Sequence, residues 1–248
     1  MGKSALQDLN LYGVRWELTE PPWKSGSLHN PVQQTFQTTS MKPEKPIIVP
    51  PIAPINLDTV KSMVTRPSDV NSLIRMVCEF NHPLRNNATN TVLPNIATNP
   101  NGLVIITDLP STDDDLSGHI LSGNAGEMTD KMLSAVGMGR NSVSIIPILF
   151  WRTPGGRTPS REEIDLSMPF VNRILEMLSP RIVITFGTLA TSEIAKINLN
   201  EAHGNEITSE KGYTIVPLYH PNYLILKPSA KRDVWNALQN IQKLLKSA

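Results

Sequence analysis

"SREEIDLSMPFVNRILEMLSPRIVITFGTLATSEIAKI", residues 160–197, reads as a helix, a strand and a second helix in immediate succession. Ser160 stands as the first helix's cap, and Glu163, three residues on, completes a capping box. Ile164, Met168, Val171, Leu175 and Leu178 share one helical face, and Pro169 is placed to kink it. "RIVITF" (181–186) is the strand. Gly187 permits a tight strand-to-helix turn, and Thr188 can cap the short helix that follows.

The same alternation extends in both directions. Upstream lie the β-rich run "LVIIT" (103–107), a helix over "GEMTDKMLSAVGM" with Asn124 and Glu127 spaced as a capping box, and a strand "VSIIPIL" (143–149) disturbed by Pro147. Downstream lie "YTIVPL" (213–218) and an amphipathic helix that turns Val234, Leu238, Ile241 and Leu245 inward. An earlier helical stretch begins near residue 59, with Ser68 or Asp69 as a cap before Val70, Leu73, Ile74 and Val77. Strands alternating with helices predict an α/β protein with a parallel sheet covered on both faces. The ordered domain is expected over 59–248. Residues 1–58 read as an extension: a short docking helix around "LNLYGVRWELT", then a flexible linker rich in proline, serine and threonine.

Composition narrows the field. No run approaches the roughly 20 apolar residues of a membrane helix, and the N-terminus lacks the apolar core of a secretory signal, so a soluble cytoplasmic protein is expected. The single cysteine, Cys78, excludes an internal disulfide framework and any CxxC site. A net charge of +1 gives no global basic signal, which leaves local patches for any nucleic acid.

In open α/β sheets, ligands sit at the carboxyl ends of the strands. Four loops begin there. "TDLPSTDDD" places Asp108 just past the first strand, where an acid could orient water or hold Mg²⁺, or serve only as a turn with capping aspartates. "WRTPGGRTP" offers Arg152, Arg157 and the amides of Gly155 and Gly156 to an anion, or a rigid turn into the next helix. "FGT" suits a tight turn. In "YHPNYLILKP", Pro221 stiffens the loop and fixes His220, whose imidazole could donate to developing negative charge. Tyr223 and Leu224 beside Lys227, Lys231 and Arg232 suit a wedge against stacked bases flanked by phosphate contacts, or equally a core tyrosine and a solvated basic helix start.

Taken in order, these segments resemble the uracil-DNA glycosylase superfamily, nearest its family 4 branch, over about residues 70–246. "WRTPGGRTPSREEIDLSMPFVNRILEMLSPRIVITFGTLA" is similar to that family's "RPPGNR-x-P" loop, helix and third strand. "AGEMTDKMLSAVG" resembles its "AGQLLDxML" helix, and "YHPNYLILKPSAKRDVWNAL" its "HPAYLL…KR…W" ending. The resemblance implies a three-layer α/β/α domain around a central four-stranded parallel sheet, and hydrolysis of the N-glycosidic bond of uracil in DNA after base flipping.

It also implies roles for residues. "TDLPSTDDD" matches the family's "GEAPGxxED", so Asp108 replaces the glutamate that positions water, Pro110 is kept, and Thr107 and Ser111 replace glycines. Leu121 stands where an aromatic residue stacks on the base, and Pro147 where an asparagine reads its edge. His220 is retained as the group that supports the departing base. Glu79, His82, Trp151 and Ser167 fall where many family 4 enzymes carry the four cysteines of an iron–sulfur cluster, so no cofactor and no metal are expected, with Trp151 able to fill the space.

Three functions follow as expectations. The first is a DNA glycosylase of base excision acting as a monomer through Asp108 and His220, with Arg152, Arg157, Pro221, Tyr223, Leu224, Lys231 and Arg232 on DNA. The second is a catalytically silent relative that binds DNA, or a protein partner through its N-terminal arm. The third is a Mg²⁺-dependent phosphohydrolase built on the acidic loop.

Overall fold

The computed structural model describes residues 56–246. The expected N-terminal helix and the linker through residue 55 lie outside these residues; the last three residues expected as linker are instead a helix start, with Asn56 the cap and Leu57 and Asp58 in the first turn. The sheet comprises β1 (Leu103–Thr107), β2 (Ser144–Pro147), β3 (Ile182–Phe186), β4 (Ile207–Thr208) and β5 (Thr214–Leu218) in the order β2-β1-β3-β5-β4. The four expected strands are present and parallel. The sheet has a fifth strand beyond the expected four, because β4 folds back antiparallel onto the outer edge of β5. Two residues are too few for a period-two pattern to register. At the other edge, Asn95 exchanges both main-chain hydrogen bonds with Ile145 of β2.

Alternate residues feed two cores. Val104 and Ile106 face a layer built from α1 (Leu57–Val64), α2 (Val70–Glu79) and α5 (Arg161–Leu178). Leu103 and Ile105 face α4 (Gly123–Ala135), α8 (Pro221–Leu226) and α9 (Lys231–Lys246). Helices on both faces bury every strand position of β1 and β3, the condition a parallel sheet requires. The result is the expected three-layer α/β/α arrangement.

Local signals held unevenly. Ser160 and Glu163 form the expected capping box of α5, and Asp69 caps α2. The stretch after residue 59 is two helices, since Pro67 and the Asp69 cap restart the chain. The box expected from Asn124 and Glu127 does not form: Ser122 is the N-cap of α4, and Asn124 lies inside the helix. The second strand stops at Pro147, short of residue 149. No helix among the described residues is long and apolar enough to cross a membrane.

Candidate functional site

The loops after β1 and β5, the arginine loop and the start of the helix after β3 border an open cleft of about 310 Å³. Asp108, Leu109, Gly156, Thr158, Pro159, Leu189, His220 and Asn222 line it. Asp108 and His220, 112 positions apart in sequence, thus share one cleft at the carboxyl edge of the sheet.

His220 is the N-cap of α8, with Pro221 in the first turn. Its Nδ1 accepts a hydrogen bond from the Asn222 amide at 3.2 Å, and Nε2 lies 3.1 Å from Thr107 Oγ1. An Nδ1 that accepts carries no proton, so the neutral ring keeps its hydrogen on Nε2 and donates there. Burial pushes the imidazole down to about 4, so it is neutral at physiological pH. The group is therefore a hydrogen-bond donor, not a cation.

Asp108 follows β1 and turns toward α6 (Thr188–Ile194). Ala190 N–H donates to its Oδ1 at 2.6 Å, and the Thr188 and Leu189 amides also stabilise the charged form. Burial outweighs these amides and raises the carboxyl to about 6. Gly187, at φ 97°, makes this approach possible: a Cβ there would collide with the Asp108 carboxyl group.

The other acids of this loop are occupied elsewhere. Asp114 closes the capping box of α3 (Thr112–Ser117) with Ser111 and accepts from Ser122 N–H at 2.6 Å. Asp115 accepts from the amides of Thr89 and Asn90 and from the Thr89 hydroxyl. Among the described residues no three acidic, histidine or cysteine side chains converge to hold a metal ion. The Mg²⁺ reading therefore has no ligand set in this loop.

The two arginines differ. Arg157 forms a fork with Glu163, at 2.9 and 2.5 Å, which holds that carboxyl below its usual range. Its charge is committed to the start of α5. Arg152 is half-buried and forms no ion pair among the described residues. Gly155 and Gly156 both adopt positive φ, 61° and 71°, in the single turn between the two arginines.

The residues expected at the base pocket are spread out. Pro110 is buried behind Asp108. Pro147 ends β2 opposite Thr107 and is buried. Leu121 is 2% exposed, in the core on the α4 side, at φ 51°, a conformation a leucine rarely adopts. Arg140 holds this backbone by donating to the carbonyls of Ile120 and Leu121 at 3.0 and 2.6 Å. None of the three lines the cavity.

Beyond His220 the surface becomes apolar and basic. Leu224, expected at the exposed tip, is 1% exposed and packs in the core, while its neighbour Leu226 is 83% exposed. The helix α8 turns inward at Leu224, three residues after the buried Pro221, but its six residues are too few for a helical period to register in the sequence. Of six exposed large apolar side chains among the described residues, Tyr223, Ile225, Leu226 and Trp235 lie in this one stretch. Lys227 sits 5.7 Å over the Tyr223 ring, and Lys231 and Arg232 are exposed at the start of α9. Sequence reading missed Thr107 as the partner of His220, and nothing local signals a contact 113 positions apart.

Three of the positions matched to cluster cysteines meet in a packed core. Trp151 stacks on His82 with centroids 4.6 Å apart at 11°, and Phe80 and Phe150 pack at their edges. His82 Nε2 donates to the Glu163 carbonyl, and Ser167 Oγ to that of Ile148. Glu79 is exposed. Neither the donor set nor the filled space fits an iron–sulfur cluster, which needs thiolates and room.

Fold and site together define a doubly covered α/β protein whose working edge joins a neutral histidine, an acid and an apolar, basic rim. The chain belongs to the uracil DNA glycosylase superfamily, whose family description matches residues 95–239. It is similar to the type-4 uracil-DNA glycosylase of Archaeoglobus fulgidus, with 26% identity over 172 residues, 65% of this chain and 85% of the relative. It is also similar to the type-4 uracil-DNA glycosylase of Thermotoga maritima, with 28% identity over 171 residues, 66% of this chain and 88% of the relative.

Proposed function

We propose that this protein is a DNA glycosylase of base excision repair that hydrolyses the N-glycosidic bond of uracil or another deaminated base. The observation that carries the reading is the shared cavity of His220 and Asp108, with the imidazole neutral and its proton on Nε2. As the C1′–N bond breaks, its electron pair leaves on the base nitrogen, and negative charge spreads onto a carbonyl oxygen of the base. A neutral Nε2–H supports that charge by a hydrogen bond. The ionised Asp108 holds a water against the sugar; the water's oxygen bonds to C1′ and its proton passes to Asp108 or to solvent. Incubation with single- and double-stranded oligonucleotides carrying uracil or hypoxanthine tests the reading. Alkali-labile abasic sites are expected, and none from any substrate would overturn it.

This division of labour predicts a pH profile. Asp108 must be ionised, so base release should rise between pH 5 and 7 with a midpoint of about 6. His220 is already neutral across that range and contributes no step there. Single-turnover rates across the range check this, and Asp108→Asn should lower the plateau and erase the step.

The rim supplies the DNA contacts. Arg152, Lys231 and Arg232 take phosphates, and Tyr223 with Leu226 presses on the stack. Leu226→Ala should weaken duplex binding about five- to tenfold without moving the unfolding midpoint. Leu224→Ala should cost about 2–4 kcal/mol of stability, as expected for a buried leucine. Anisotropy titration and urea unfolding separate the two.

A catalytically silent DNA-binding role is the second reading. Two features favour it: Leu121 is turned into the core, and Pro147 has no polar side chain with which to read a base. It predicts salt-dependent DNA binding with no base release.

A further inference from the structure

We propose that Thr107 is a positioning residue: its hydroxyl holds the single ring N–H of His220, and so sets how readily that group can serve a bound base. The inference rests on the reading of His220 as support for the departing base. The ring has one hydrogen to give, because Nδ1 is engaged as an acceptor by the Asn222 amide, which caps α8. That hydrogen points at Thr107 Oγ1, 3.1 Å away.

Thr107 cannot yield. It is 1% exposed at the end of the inner strand β1, paired with Pro147 on one side and Phe186 on the other. Its carbonyl is also fixed, accepting from Ile148 N–H at 2.9 Å. His220 borders the cavity, so its ring N–H, and not the threonine hydroxyl, is the group within reach of a bound base. An oxygen on a departing base must therefore compete with the threonine hydroxyl for the same hydrogen. Thr107 acts as a standing competitor, and the strength of its bond is subtracted from what His220 can give the transition state.

Thr107→Val removes the hydroxyl and keeps the β-branched shape that a buried strand favours. Thr107→Ser keeps the hydroxyl. Single-turnover base release from uracil and hypoxanthine oligonucleotides should rise about three- to tenfold in Thr107→Val, the worth of one neutral hydrogen bond. DNA affinity should not change, and Thr107→Ser should behave as the unmodified protein. In ¹⁵N-resolved NMR of the histidine rings, the His220 Nε2–H signal should shift and exchange faster in Thr107→Val alone. A rate that falls or stays level in Thr107→Val while the unmodified protein excises would overturn the proposal and leave the glycosylase reading intact. An unmoved Nε2–H signal would overturn it as well. If no variant releases any base but the signal moves, the restraint stands and the glycosylase reading fails.

Discussion

His220→Ala is expected to slow base release by about 10²- to 10³-fold, the usual loss when one preorganised donor to developing charge is removed. The effect should fall on the single-turnover rate and leave DNA affinity nearly unchanged, because the imidazole lies in the cavity rather than on the basic rim. His220 also caps α8, so alanine sacrifices about 1 kcal/mol of local stability in addition. His220→Ser separates the two roles: serine can cap the helix but is too short to reach a base. Equal slowing in both variants assigns the loss to the ring N–H. A rate within threefold of the unmodified protein in either variant removes His220 from the mechanism.

Trp151→Ala should cost about 3–5 kcal/mol of folding stability, read from urea unfolding at neutral pH. The side chain is fully buried, stacked on His82 at 4.6 Å, and its Nε1 donates to Thr91 Oγ1 at 3.0 Å. Alanine leaves a void among Phe80, His82, Phe150 and Phe170 that these rings cannot fill without leaving their rotamers. Trp151→Phe keeps most of the packing and should cost less than half as much. The arginine loop starts at the next residue, so the alanine variant should also loosen the Arg152–Thr158 segment at the mouth of the cavity. A loss below about 1 kcal/mol would mean that this aromatic core carries little of the fold.

The layers were legible because each depends on local periodicity. Val104 and Ile106 against Leu103 and Ile105 declare a strand with two buried faces, and Ser160 with Glu163 declares where α5 starts. Asp108 and His220 were legible by position, since each follows a strand that ends in an open α/β sheet. What the sequence could not convey lies in side-chain direction and in distant pairing. Leu224 and Leu226 are two residues apart on a short helix, yet one is core and the other surface. Arg157 reads as an anion ligand until its fork with Glu163 is seen. The Thr107–His220 contact joins two strand ends that only the folded sheet brings together. The Asn124–Glu127 spacing matched a capping box, but the helix starts earlier, at Gly123, and the Ser122 side chain at the cap position makes no capping bond.

The two borders of the sheet carry a further consequence. An open border is a template on which another chain can add a strand, the usual route to aggregation. Here one border is taken up by Asn95 against Ile145, and the other by the two-residue β4, followed by a turn bearing Glu210 and Lys211. Among the described residues each border thus offers only a short or interrupted template, which blunts the pairing of one copy of this domain with another.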